Sequence, residues 1–260
     1  MHVPTTVMSM FVVFLMAPPG DATTDFPTMV SLDSPLCSFT RPTLRCDFRG
    51  AEQPVFLESN PVGDQGNGKG MVVFLENAKL LILNGDLCID MVLRSIEQII
   101  VMDSDDNGDS GDSGSCPHKK LRIRNVHMNS LPRGLSDIYM DSSTIDVFHP
   151  DGNKLQTLIV INSVIHQLNA KDDIYQGSIK VHSSKVHTIE RLYVNTTNQV
   201  QFYKSVMNYI PENGVQLEYC SVDLTGSEIT HYSNNSIIIC NQRELLDDDF
   251  HGEYTCPEKK

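Results

Sequence analysis

Residues 158–168 read LIVINSVIHQL, and residues 179–189 read IKVHSSKVHTI. Set one above the other, they share a placement of side chains more than an identity. Apolar residues fall at positions 1, 3, 8 and 11 and a small residue at position 6. Leu158, Val160, Ser163, Ile165 and Leu168 fill the first copy, and Ile179, Val181, Ser184, Val186 and Ile189 the second. A pattern that returns at a fixed period is the signature of a stacked-repeat architecture. The same template is met at Ile138, Met140, Ser143, Ile145 and Phe148, and again at Val200, Phe202, Ser205, Met207 and Ile210. Upstream it is met at Leu121, Ile123, Val126, Met128 and Leu131, and at Val73, Leu75, Ala78, Leu80 and Leu83. Looser copies begin at Val55, Ile99, Val215 and Ile237.

Heads running from Val55 to Ile237 imply about 20 residues per turn. The steps are uneven, long from Val73 to Ile99 and short from Val200 to Val215. Positions 1 and 3 point the same way from a short strand, because side chains alternate with period 2, and positions 8 and 11 turn inward on the return path. A single turn leaves its strand edges and apolar face bare, whereas stacked turns cover one another. The expectation is a mostly β solenoid, a stack of about ten turns with parallel strands and little helix. A right-handed parallel β-helix is the alternative. At position 6, Ser143, Ser163, Ser184, Ser205, Cys220 and Asn60 can hydrogen-bond the backbone of the turn after the strand.

The spelling L-x-x-L-x-L-x-x-N/C-x-L-x-x-L resembles that of extracellular leucine-rich repeats. Leu155, Leu158, Val160, Ser163, Ile165 and Leu168 match it, with Ser in place of Asn, as do Leu135, Ile138, Met140, Ser143, Ile145 and Phe148. The resemblance covers roughly residues 37 to 256. It implies caps at both ends: Cys37 and Cys46 as a disulfide in an N-terminal cap over 23–54, a solenoid over 55–240, and Cys240 with Cys256 as a staple in a C-terminal cap over 241–260. Cys88 and Cys116 would then close the long insertion between them. Of seven cysteines, Cys220, on the ladder position, is left as a buried free thiol.

The run VMSMFVVFLMA (Val7 to Ala17), followed by Pro18, Pro19 and Gly20, has the length of a signal-peptide core, and cleavage is expected after Ala22. The run is too short for a bilayer span, and no later segment is long enough, so no membrane span is expected. Entry into the secretory pathway fits the cysteines and the sequons at Asn195 and Asn234, which are acceptors only there. A formal net charge of -13 argues against nucleic acid and against an anionic membrane surface as partners.

The acidic insert over 103–115, DSDDNGDSGDSGS, begins like a calcium loop at Asp103, Asp105 and Asn107. Its twelfth position is Gly114, where a bidentate Glu is required, so the reading is a solvated acidic loop. The overlapping Gly-Asp-Ser-Gly tetrads lack any second motif to supply a base. Eight histidines would remain after cleavage, with no metal-ligand spacing among them, and His166, His182 and His187 fall on solvent-facing positions. Neither a metal nor a cofactor is expected. A carbohydrate-active β-helix enzyme would need a carboxylate pair such as Asp172 and Asp173, which the template assigns to a return loop. The protein is therefore not expected to be an enzyme.

Template positions 2, 4 and 5 project from successive strands onto one continuous, concave sheet face. They read Arg122 and Arg124, Tyr139 and Asp141, Ile159 and Ile161, Lys180 and His182, Gln201 and Tyr203, then Glu218 and Tyr219. Tyr139, Asp141, Ile159, Ile161, His182, Tyr203 and Tyr219 are the candidate binding residues, because exposed β-branched and aromatic side chains together have the composition of an interface. The same side chains also favour strands for their own sake. The functional expectation is a secreted recognition module for an extracellular protein or glycan. A structural matrix component is the other non-catalytic reading. Oligomeric state is not legible in the sequence.

Overall fold

The computed structural model describes residues 28–31, 34–57, 71–85, 87, 89–102, 119–132, 134–149, 155–175, 177–240 and 244–255. The expected signal peptide, the insert over 103–115, Asn60, Cys88, Cys116 and Cys256 lie outside them. The strands in the first half are β1 (Thr28–Met29), β2 (Cys37–Thr40), β3 (Thr43–Asp47), β4 (Val55–Leu57), β5 (Val72–Glu76), β6 (Leu80–Asn84), β7 (Asp90–Met102), β8 (Lys119–Ser130), β9 (Leu135–Asp141) and β10 (Thr144–Phe148). The second half holds β11 (Thr157–Ile161), β12 (Val164–Tyr175), β13 (Ser178–His182), β14 (Lys185–Asn195), β15 (Gln199–Tyr203), β16 (Val206–Ile210), β17 (Val215–Glu218), β18 (Ser221–Asp223), β19 (Glu228–Tyr232), β20 (Ile237–Cys240) and β21 (Glu244–Leu246). No helix is present among the described residues. None is therefore long and apolar enough to cross a membrane.

The strands stack in columns as a parallel β-solenoid. The first column runs β3, β5, the start of β7, the start of β8, β9, β11, β13, β15, β18 and β21, every pair parallel. The second runs β1, β4, β6, the end of β7, the end of β8, β10, then the first parts of β12 and β14, then β16 and β19. A third opens at the far half of β12 and continues through the far half of β14, β17 and β20. Asp172 and Asp173 lie within β12, at the register shift between Ala170 and Ile174, not in a return loop. The antiparallel partner β2 covers the outer edge of β3.

Six predicted heads, Val73, Leu121, Ile138, Leu158, Ile179 and Val200, occupy the first column. The other four do not: Val55 and Ile99 belong to the second, and Val215 and Ile237 to the third. The ten heads are thus not ten successive turns of one ladder. Met91 and Val222 are first-column heads the template passed over. The columns also reach beyond 55–240, with β3 at one end and β21 at the other, and the chain adds bridges at His251 and Thr255.

Inside the coil, the template behaves as its spacing demands. Leu158, Val160, Ile165 and Leu168 are buried, as are Ile179, Val181, Val186 and Ile189, and the same holds in the copies headed by Leu121, Ile138 and Val200; in the copy headed by Val73 the buried residue is Leu81 and not the expected Leu80. Burying these side chains is the main favourable term, at about 1.5–3 kcal/mol for each large one.

The corner between the first and second columns is built the same way many times over. Ser142, Asn162, Ser183 and Lys204 sit there with φ of 48°, 48°, 48° and 49°, in the left-handed region that turns the chain sharply. The following residue is a buried serine whose hydroxyl links adjacent turns. The Ser143 N–H donates to Ser163 Oγ at 3.1 Å, Ser163 N–H to Ser184 Oγ at 3.1 Å, Ser184 N–H to Ser205 Oγ at 3.3 Å, and Ser205 N–H to Ser227 Oγ at 3.0 Å. Each hydroxyl donates onward to a carbonyl, Ser163 to Ile161 at 2.6 Å and Ser184 to His182 at 2.7 Å. The corner amides, which no strand ladder serves, are satisfied in this way. Cys220 is not part of this ladder. It is buried just before β18, at the corner leading from the third column back to the first.

Candidate recognition face

Alternation along the first-column strands turns every second side chain outward. Reading across the registers gives rows of neighbours: Phe74 beside Val92, Val92 beside Arg122, Arg122 beside Tyr139, Tyr139 beside Ile159, Ile159 beside Lys180 and Lys180 beside Gln201. One step along the strands lie Glu76, Arg94, Arg124, Asp141, Ile161, His182 and Tyr203 in the same order. Six of the seven candidate residues, Tyr139, Asp141, Ile159, Ile161, His182 and Tyr203, therefore share one sheet face. The seventh does not. Tyr219 follows β17 at the corner of the third column, with φ of 59°, and is exposed there.

The face divides into two halves. Toward β15 it is apolar and hydrogen-bonded: Ile159 and Ile161 are half-buried between neighbours, and the His182 ring lies 5.7 Å from that of Tyr203. His182 Nε2 is 2.6 Å from Gln201 Oε1, and Gln201 Nε2 donates to Asp223 Oδ2 at 2.6 Å. Burial pushes the Asp223 carboxyl up. Hydrogen bonds from Thr225 and Gln201, with the positive charge His182 can carry, outweigh it and hold the group below the usual carboxylate range.

Toward β5 the face is basic and concave. A cleft of about 440 Å³ is walled by Phe74, Val92 and Tyr139 and studded with Arg94, Arg122 and Arg124. Arg124 Nε lies 3.3 Å from Asp141 Oδ2. The guanidinium groups of Arg94 and Arg122 have no hydrogen-bond or ion-pair partner among the described residues. At the rim, the Arg45 guanidinium sits 4.5 Å above the Phe74 ring. Val92 and Arg94 escaped the sequence reading for a physical reason, whereas Phe74, at position 2 of the copy headed by Val73, was open to it. A one-residue irregularity in β7, between Ile96 and Ile99, puts one extra residue against β8 and breaks the template. The Met91 and Leu93 alternation was the available signal.

The second column carries a different polar row. Asp146, His166, His187 and Asn208 hold equivalent places on β10, β12, β14 and β16. The His166 and His187 rings stack with centroids 4.8 Å apart, Asn208 Nδ2 lies 3.1 Å from His187 Nδ1, and His127 Nε2 is 2.9 Å from Asp146 Oδ1. Among the described residues no group of three or more His, Cys, Asp or Glu is arranged to hold a metal ion.

Cys37 and Cys46 form a disulfide with sulfurs 2.05 Å apart. Cys220 is a free thiol, and burial pushes it up to about 11. The partner expected for Cys240 lies outside the described residues. Asn234 is exposed in the turn between β19 and β20, whereas Asn195 is half-buried at the end of β14 with Thr196 buried behind it.

Comparison of the chain with protein-family models, curated proteins and solved structures finds no match.

Proposed function

We propose that this chain is a secreted recognition module that binds an extracellular protein or glycan through the outward face of the first column. The observation that carries the reading is the run of Tyr139, Ile159, Ile161 and Tyr203 in adjacent rows of a rigid parallel sheet. Apolar and aromatic side chains held in register by backbone pairing need little reordering on binding, which is where association otherwise loses free energy. Secretion is supported by the apolar leader of signal-peptide length, by the Cys37–Cys46 disulfide and by the exposed sequon at Asn234. The likeness of the repeat spelling to extracellular leucine-rich repeats supports the same reading.

The test is affinity capture from the extracellular fluid of the source, comparing the native chain with an Ile161→Asp, Tyr203→Asp double variant of unchanged circular dichroism. A partner held by the native chain and lost by the variant is expected. Equal recovery by both forms overturns the assignment of this face, and a structural matrix component then becomes the better description.

A further inference from the structure

We infer that the cleft over β5, β7, β8 and β9 is a binding site for the anionic group of a short acidic saccharide, gripped by Arg94, Arg122 and Arg124 and walled by Phe74 and Tyr139. The inference rests on the recognition reading for its face, not for its apolar half.

Charge is the first argument. The chain holds 33 acidic against 20 basic residues, yet the outward positions of β8 are Lys120, Arg122 and Arg124 in succession, and Arg94 is the direct neighbour of Arg124. Neighbouring strands lie about 4.8 Å apart and alternate residues about 7 Å apart, so three guanidinium groups converge on one concavity. Like charges opposed on adjacent strands are unfavourable. Carboxylates relieve some of them: Asp137 lies 3.9 Å from Lys120, and Asp141 3.3 Å from Arg124. Arg94 and Arg122 are left unrelieved although Glu76 sits beside Arg94 in register. An anion between these side chains removes the repulsion and accepts from their paired N–H groups, the geometry for which guanidinium is suited.

Shape and walls supply the second argument. A bare inorganic ion needs no apolar wall, whereas Phe74, Val92 and Tyr139 present one on each side of the arginines. A sugar ring has polar edges and apolar C–H faces, and those faces lie flat on aromatic rings. At about 440 Å³ the cleft falls in the lower part of the range of small-ligand sites. The acids at its edge, Glu76, Asp137 and Asp141, limit it to one or two anionic groups and disfavour a dense polyanion.

The experiment is calorimetric titration of the full chain with five probes: a uronate-containing disaccharide, a sulfated disaccharide, a neutral disaccharide of equal size, inorganic sulfate, and hexa-aspartate. Both acidic disaccharides are expected to bind, and the neutral one and sulfate to bind about ten-fold or more weakly. Arg94→Gln and Arg122→Gln are each expected to weaken the acidic disaccharides about ten-fold, and Tyr139→Ala to weaken them without abolishing response to salt. Unchanged thermal melts confirm that the variants fold. The inference is overturned by equal binding of neutral and acidic disaccharides, by tighter binding of hexa-aspartate, by indifference to both arginine substitutions, or by no binding up to about 1 mM. Failure here with capture through Ile161 and Tyr203 intact removes this site alone and leaves the recognition reading standing.

Discussion

His187 shows how one residue is set by its neighbours in the stack. Burial on the second-column face lowers its affinity for a proton, and Lys185 and His166, both able to carry positive charge beside it, lower it further. Its neutral ring accepts from Asn208 Nδ2, a bond that the charged ring, donor at both nitrogens, cannot accept. The folded protein resists protonating His187, so as pH falls below about 6.5 the unfolded chain binds the proton first and stability drops until the lowered folded value is passed. Melting temperatures measured at about pH 7.5 and 5.5 should fall less for His187→Gln than for the native chain. An equal fall would show that the stack of rings is not what senses the proton.

At the scale of the element, the corner between the third and first columns leaves no room to spare. Gly177 precedes β13, and a Cβ built on it would meet the Gln156 carbonyl oxygen at 2.2 Å and its carbon at 2.4 Å. The obstacle is backbone, held there because Gln156 O accepts from Ser178 N at 3.0 Å. Gly177→Ala must push β11 and β13 apart, at a cost of about 1–3 kcal/mol or more. Urea denaturation should show a lower midpoint with an unchanged slope.

Elements also show why part of the architecture was legible and part was not. Alternation separates inside from outside, and on that question the template succeeds at Leu158, Val160, Ile165 and Leu168. Alternation does not say which column a strand belongs to, because Val215 and Leu217 in the third column repeat the inward pattern of Leu158 and Val160 in the first. The misplacement of Tyr219 follows from that ambiguity. The second column was read as a return path for another reason. In β12 the inward residues Ile165 and Leu168 are three apart, with His166 and Gln167 both outward, which a period-2 search does not register as strand. The arginine cleft was half legible, through Arg122 and Arg124, until the extra residue in β7 hid Arg94.

Across the whole molecule, stability is shared between neighbouring turns, so a turn with two neighbours is held better than a turn with one. The terminal pieces are slight: β1 has two residues and β21 three, and beyond β21 the described residues add the bridges at His251 and Thr255. Native-state hydrogen exchange should therefore be slowest in β9, β11, β13 and β15 and fastest in β1 and β21. Uniform protection along the coil would mean that the chain opens as a single block.

The serine ladder gives the molecule an unusual freedom of size. Because each rung takes its partner from the next copy of the same corner, nothing in the rung records how many copies there are. Tandem duplication of residues 158–178 would supply one more corner of the same kind and lengthen the rod by about 4.8 Å, leaving both tips as they were. Length in such a protein is a variable that copying errors can adjust in whole units, and natural selection is then free to fit the rod to its target.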